Sequence, residues 1–333
     1  MGSADEQHLG TDQGRILIHP LAPSLNQEQA ITLSSSDSLG TLPAPTASGR
    51  FLHRHETLRG YLLLSPTLIV LALAILIPFG LLVTMSFWSM SGYDMVRTPT
   101  LGNYAAMLEQ PMYGALLSRS LMVAAIATGV TVILSYPVAY YVAFHVYRHK
   151  MLWIILLTLP FWTSYLLRIF AWRVVLGYEG ALNSSLMGLG LIEAPLQAFL
   201  YSKTAVTIAL AHAWAAFAIL PIYVSLEKID KSYLEAAADL GDTPARRFWR
   251  ITLPLSLPGV VSAFFLMFIP TVGDYVTPAM LGGPDGMMIG NLIQAQFGPI
   301  NNWPMGAALS LVMLMAVAVA GAVFLLLTRL VRR

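Results

Sequence analysis

Six stretches of this sequence are long, apolar and nearly free of charge, and no other feature constrains the fold as tightly. They lie at about residues 61–87, 121–146, 151–170, 204–226, 258–281 and 305–330. A helix rises about 1.5 Å per residue, so about 20 apolar residues cross the hydrocarbon core of a bilayer. Hydrocarbon offers no partner to a backbone N–H or C=O, and a helix supplies one locally. The expected fold is therefore all-α, a polytopic membrane protein with six transmembrane helices. Composition agrees, since 56% of the 333 residues are hydrophobic and 11% are charged, against about 25% charged in soluble domains.

Basic residues collect on the cytoplasmic flanks of membrane spans, which sets orientation. With a cytoplasmic N-terminus, the inner flanks hold Arg50, Arg54, Arg59, Arg148, Lys150, Lys228, Lys231, Arg246, Arg247, Arg250, Arg329, Arg332 and Arg333. The outer side holds Arg97, Arg119, Arg168, Arg173 and Lys203. An even number of spans returns the C-terminus to the cytoplasm. Residues 1–57 are rich in Ser, Thr, Pro, Gln and Gly, with no apolar period, and read as a disordered cytoplasmic tail. The start MGSADEQHLG has no basic patch followed by an apolar core, so it is not a signal peptide. Residues 58–333 form the membrane domain.

Several chemistries are missing. The chain has no cysteine, which removes disulfides, thiolate metal sites and thiol catalysis. Its seven His include no His-Glu-x-x-His pair, and His212 stands alone in an apolar run, so no metal site is expected. No Gly-rich phosphate loop and no Gly-x-Ser-x-Gly elbow occur. The spans also lack a series of proton-relay carboxylates. The chain reads as no enzyme. A transporter of this kind must take its energy from a partner, whereas a channel or a membrane scaffold needs none.

The segment KSYLEAAADLGDTPARRFWRITLPLSLPG, residues 231–259, covers most of the longest cytoplasmic loop, 227–257, and runs into the fifth span. LEAAADL is a short helix of strong formers. Gly241 suits the left-handed position that ends it. Thr243 can cap a second helix, with Pro244 at its first position. Pro254 and Pro258 are expected to separate that helix from the fifth span. Ala236, Ala237 and Ala238 offer a small-residue surface that a protein can approach closely, and Glu235 offers a charge to it. Arg246, Arg247 and Arg250 also suit lipid headgroups.

EAAADLG followed by ITLPLSLPG resembles the EAA loop of ABC importer permeases. The match falls on Glu235, Ala236, Ala237 and Gly241, and again on Leu253, Pro254, Pro258 and Gly259. The resemblance implies the type I ABC importer permease fold, with this loop as the coupling helix that docks on an ATPase subunit. PFWTSYLLRIFAW (160–172), PAMLGGP (278–284), MIGNLIQAQFG (288–298) and NWPMGAALS (302–310) are similar to the spermidine/putrescine permease family. That family implies a second permease, two ATPase subunits and a periplasmic binding protein as partners, in an inner membrane. The ATPases would bind ATP and Mg; this chain itself would bind no cofactor. Lipid is expected around it, and no nucleic acid. The implied cargo is a small cationic solute such as a polyamine. Another small solute, such as an opine or amino acid derivative, fits the same motifs, and the EAA loop argues against a channel.

Asp274 is the only acidic residue within the six stretches, and a mid-span carboxylate costs about 2.5–3.5 kcal/mol unless it faces a cavity or a partner. Tyr275 follows it, and Trp162, Tyr165, Trp172 and Tyr178 lie on or near the third span. Aromatic faces with a carboxylate suit an organic cation. Trp172 and Tyr178 also fit an interfacial belt. Arg168 and Arg173 are candidate partners for Asp274. Pro78, Pro137, Pro160 and Pro270 interrupt spans, and Pro270 with Gly273 and Asp274 marks the fifth as a pathway helix. Residues 287–297 place Ile289, Leu292, Ile293 and Phe297 at helical spacing, as an amphipathic helix on the outer face.

Overall fold

A computed structural model describes residues 56–331, except 197, 198 and 200. The tail expected over 1–57 thus lies, up to residue 55, outside the described residues. The chain divides into two units, 1–71 and 72–333. The described part of the first unit is the start of helix α1, Glu56–Ser86.

The second unit continues from α1 into a small hairpin, β1 Ser89–Ser91 and β2 Asp94–Val96, then α2, Gly102–Glu109. Helix α3 spans Pro111–Phe144. Next come α4, Lys150–Thr158, a 3₁₀ turn Leu159–Trp162, and α5, Tyr165–Val175. Then follow α6, Ala181–Gly188, and α7, Lys203–Glu227. The loop region holds α8, Lys231–Asp239, and α9, Pro244–Arg247. A π turn, Phe248–Thr252, leads into α10, Leu253–Val272. A second π turn, Pro278–Gly282, precedes α11, Gly283–Gly286, and α12, Ile289–Phe297. Helix α13 is Trp303–Val331.

Among the described residues, five helices are long and apolar enough to cross a membrane: Leu63–Ser86, Pro111–Phe144, Lys203–Glu227, Pro244–Val272 and Trp303–Arg329. A sixth candidate is a bent pair, Lys150–Trp162 and Tyr165–Val175, meeting at 83°. Pro160 was expected to interrupt the third span, and the break is a sharp corner. Pro160 removes an N–H and crowds the preceding turn, and Ser164 sits in extended backbone at φ −54° and ψ 134°. The fifth span departs from expectation. Pro254 and Pro258 do not separate it from the loop. Pro254 occupies the first turn of α10, where its missing N–H is harmless, and the preceding π turn absorbs the mismatch.

Helices α3, α7 and α10 form the centre. Their contacts are made by small residues: Ala139, Ala143, Ala218 and Ala263 are buried with Ile222, Leu226 and Met267. Lipid is as apolar as these side chains, so helices associate by close packing and interhelical hydrogen bonds rather than by escape from water. Gly259 shows how close. A Cβ there would stand 2.4 Å from the Ser225 Cβ and 2.5 Å from the Pro221 carbonyl. Thr131 donates to the carbonyl of Ala211 across the α3–α7 contact at 3.1 Å, and the Tyr136 and Ser256 hydroxyls bond at 2.8 Å.

Helix α12 has the expected amphipathic pattern, and its apolar side packs within the chain. Ile289 is buried with Met305 and Leu309, against Leu292 and Ile293. The Ile289 N–H donates to the Ser120 hydroxyl at 2.7 Å, which pins α12 to α3.

Candidate functional site

Two regions carry the residues singled out from the sequence. The first is the loop after α7. Asp230 caps α8, accepting from the Ser232 N–H at 2.9 Å, and the hydrogen bonds from Ser232 hold its carboxyl below the ordinary value. The helix then stops in a paired motif. The Asp242 N–H reaches the Ala237 carbonyl and the Gly241 N–H reaches the Ala238 carbonyl, each at 2.9 Å. Gly241 holds φ +84°, the left-handed conformation this stop requires. Thr243 accepts from the Arg246 N–H at 3.4 Å and Pro244 opens α9, as the sequence predicts.

The loop is braced on both sides. Arg247 donates to the Leu234 carbonyl at 3.3 Å. Arg250 and Arg246 lie 3.6 and 3.9 Å from Asp242. Lys150 bonds both carboxylate oxygens of Glu227, at 2.8 and 2.9 Å, and the Ala143 carbonyl at 3.0 Å, tying the ends of α3 and α7 to the start of α4. The Lys231 ammonium lies 4.9 Å from the centre of the Tyr147 ring. Glu235, Ala236 and Ala238 are exposed on α8, and Leu240 is 88% exposed beyond it. Ala237 is buried, so it serves packing beneath the helix rather than the small-residue surface expected of all three alanines. Leu253 is half-buried and Pro254 exposed at the start of α10.

The second region joins the two interrupted spans. Asp274 lies not inside α10 but in the break after it. Its Oδ1 accepts from the N–H groups of Val276 at 2.8 Å and Thr277 at 3.3 Å. Its Oδ2 accepts from the Thr277 hydroxyl at 2.7 Å and from the Tyr165 hydroxyl, which comes from the first turn of α5. Each hydroxyl has one proton and directs it to the carboxylate, which brings Tyr165 and Thr277 within 2.7 Å of each other. Neither candidate arginine pairs with Asp274. Arg168 donates to the carbonyls of Ala213 and Thr163, both at 2.9 Å, and of Phe161 at 3.3 Å. The 83° bend frees the carbonyls at the corner, and this guanidinium satisfies them. Arg173 bonds the Tyr201 hydroxyl at 3.2 Å.

The aromatic residues separate by exposure. Trp162 is 83% exposed at the corner, and Tyr275 is half exposed. Trp172 is partly buried and donates to His212 Nδ1 at 3.1 Å, so that histidine carries its proton on Nε2. Gly273, Tyr275, Gly290, Ile293, Gln294 and Phe297 line, with others, an open groove of about 430 Å³. Gly290 lets α12 approach the break closely: a Cβ there would lie 2.7 Å from the Gly273 carbonyl. Gln294 in the groove and the carbonyl-holding role of Arg168 at the corner were not read from the sequence; the Pro160 signal pointed to a kink without giving its angle.

Residues 100–333 match the family described as binding-protein-dependent transport system inner membrane component. The chain is 36% identical over 238 residues to the spermidine/putrescine transport system permease protein PotB of Haemophilus influenzae, covering 71% of this chain and 82% of that one. Identity to PotB of Escherichia coli K12 is 36% over 242 residues, with 72% and 87% covered. The inner membrane ABC transporter permease protein YdcU of Escherichia coli is 35% identical over 257 residues, with 72% and 81% covered. Among solved structures, a bacterial ABC transporter involved in import of the acidic polysaccharide alginate superposes with TM-score 0.64 at 16% identity, covering 85% of this chain and 99% of that one. That likeness is one of fold.

Proposed function

Because the chain belongs to the binding-protein-dependent transport system inner membrane components, an ABC importer permease family of the inner membrane, we propose that it carries a polyamine such as spermidine or putrescine into the cytoplasm. One observation supports this most strongly: the two PotB relatives, covered over 82% and 87% of their length at 36% identity, are named for spermidine/putrescine transport. In this reading the permease is one of two different membrane subunits. Two ATPase subunits bind ATP and Mg and supply the energy, and a periplasmic binding protein delivers the solute. Both termini face the cytoplasm, with the basic flanks.

Helix α8 is the ATPase dock. Its stop at Gly241 fixes its length, its brace to α9 fixes its angle, and Glu235 and Ala236 face outward with Gly241, Leu253 and Pro254 at its margins. A short helix capped by Asp230 just after α7 and braced by Arg247 from α9 transmits a push to the centre of the bundle. The solute passes the exposed rings of Tyr275 and Trp162, and then Trp172, while Tyr165, Arg168 and Asp274 hold the two breaks behind them. Ring faces attract organic ammonium groups by about 0.5–2 kcal/mol each, weak enough for release.

A second cargo, an opine or amino acid derivative with an acidic group, is favoured by the exposed Arg173 on α5; Arg168 is committed to the corner carbonyls. ATP hydrolysis by the complete complex separates the two. Binding protein loaded with spermidine should stimulate hydrolysis, while loading with amino acid derivatives should not. Stimulation by the second set alone would replace the polyamine reading.

A further inference from the structure

We infer that Asp274 is a positioning residue that ties the two interrupted spans together, and that it does not touch the solute. This rests on the import reading for its assay, but the geometry carries it. A carboxylate has about four acceptor positions. All four of Asp274 are filled, two by backbone N–H groups of its own break and two by hydroxyls. One of those hydroxyls, Tyr165, belongs to an element 109 residues away in sequence.

The two interruptions are therefore built as one node. At the bend of the third span, Arg168 of α5 holds the corner carbonyls. One turn earlier on the same helix, Tyr165 holds the break after α10. The next residue, Tyr275, faces away into the groove with Gln294 and Phe297, and the Asn291 amide donates to its carbonyl at 2.7 Å. The carboxylate thus fixes where the Tyr275 ring stands. Gly290 lets α12 close on the break, since a Cβ there would stand 2.7 and 2.8 Å from the carbonyls of Gly273 and Asp274. Removing the carboxylate moves the ring; it does not remove a ligand.

The test uses the assembled complex with Tyr165→Phe, Asp274→Asn and the double variant. Each single variant should lower maximal uptake about 10- to 150-fold, the range one charge-assisted hydrogen bond carries. KM should stay unchanged, and the double variant should be no worse than the poorer single. The loss should be equal for solutes of one, two and three charges. A loss that grows with solute charge, or a raised KM in Asp274→Asn with normal behaviour in Tyr165→Phe, would overturn the inference. A second arm is independent of cargo. The chain has no cysteine, so Tyr165→Cys with Thr277→Cys gives it a single pair for a short bis-methanethiosulfonate reagent, which loses a sulfinate at each thiol. The cross-link should form equally in nucleotide-free and vanadate-trapped complexes and should restore uptake. A yield that collapses in one state, or a cross-link that blocks uptake, would show that the node opens during the cycle. Failure of polyamine uptake in the unaltered complex contradicts the cargo alone and leaves the cross-linking result to decide this point.

Discussion

Gly241→Val isolates the claim that the α8 stop couples the permease to its ATPase. Gly241 holds φ +84°, and a Cβ placed there meets nothing within 4 Å. The substitution therefore makes no clash, and its effect is purely conformational. An L-residue in the left-handed region costs about 1–2 kcal/mol, with a β-branched side chain at the upper end. Leaving that region breaks the hydrogen bonds from Asp242 to Ala237 and from Gly241 to Ala238, and it displaces the Thr243 cap and the brace from Arg247 to Leu234. A penalty of 1–2 kcal/mol shifts the fraction of correctly stopped loops by about 5–30-fold. ATPase co-purification and solute-stimulated hydrolysis should fall within that range, while membrane insertion persists. Gly241→Asn should lie close to wild type, because asparagine tolerates the conformation. Wild-type coupling in the valine variant would remove the loop assignment. An asparagine variant as poor as valine would show that space, not backbone conformation, demands the glycine.

At the α7–α10 crossing, Gly259→Leu should force the helices apart, because even its Cβ would stand 2.4 Å from Ser225. A destabilisation of about 1–3 kcal/mol is expected, read as a lower melting midpoint of the purified permease, with Gly259→Ala milder; an unchanged midpoint would contradict the close packing. Arg168→Met should loosen the bend by leaving the Phe161 and Thr163 carbonyls without their donor, at about 1–3 kcal/mol for each group left unpaired. Hydrogen exchange at residues 163–168 should accelerate, with partial recovery in Arg168→Lys; unchanged exchange would refute the corner role. Deleting residues 2–50 removes no span and keeps Arg54 and Arg59. Insertion and uptake should survive, and loss of the assembled complex would show that the tail docks a partner.

Local chemistry was legible in the sequence where it is decided locally. The Gly241 stop, the Thr243 cap and Pro244 at the first position all stand where the turn rules place them. The period of residues 287–297 gave α12, because its buried side is set by its own spacing. Features decided by distant partners were not legible. Helix α3 begins at Pro111 rather than near residue 121, since Arg119 is accommodated by the carbonyls of Pro284 and Met287 far along the chain. A carboxylate and two arginines in neighbouring spans suggested an ion pair. The direction of a side chain in a helix break depends on the break, and Asp274 turned to Tyr165 and Thr277 instead. Ala237 faces inward because α8 lies against the loop, a fact that three identical letters cannot carry.

Uptake of radiolabelled spermidine into proteoliposomes holding the permease, its partner permease and both ATPase subunits is the most direct measurement. With binding protein outside and Mg-ATP at the ATPase side, accumulation above the external concentration is expected, and it should vanish without ATP or without binding protein. Equilibration of spermidine without ATP would contradict energised import and favour a channel. ATP-driven accumulation of a different solute with none of spermidine would contradict the polyamine assignment while leaving the importer intact.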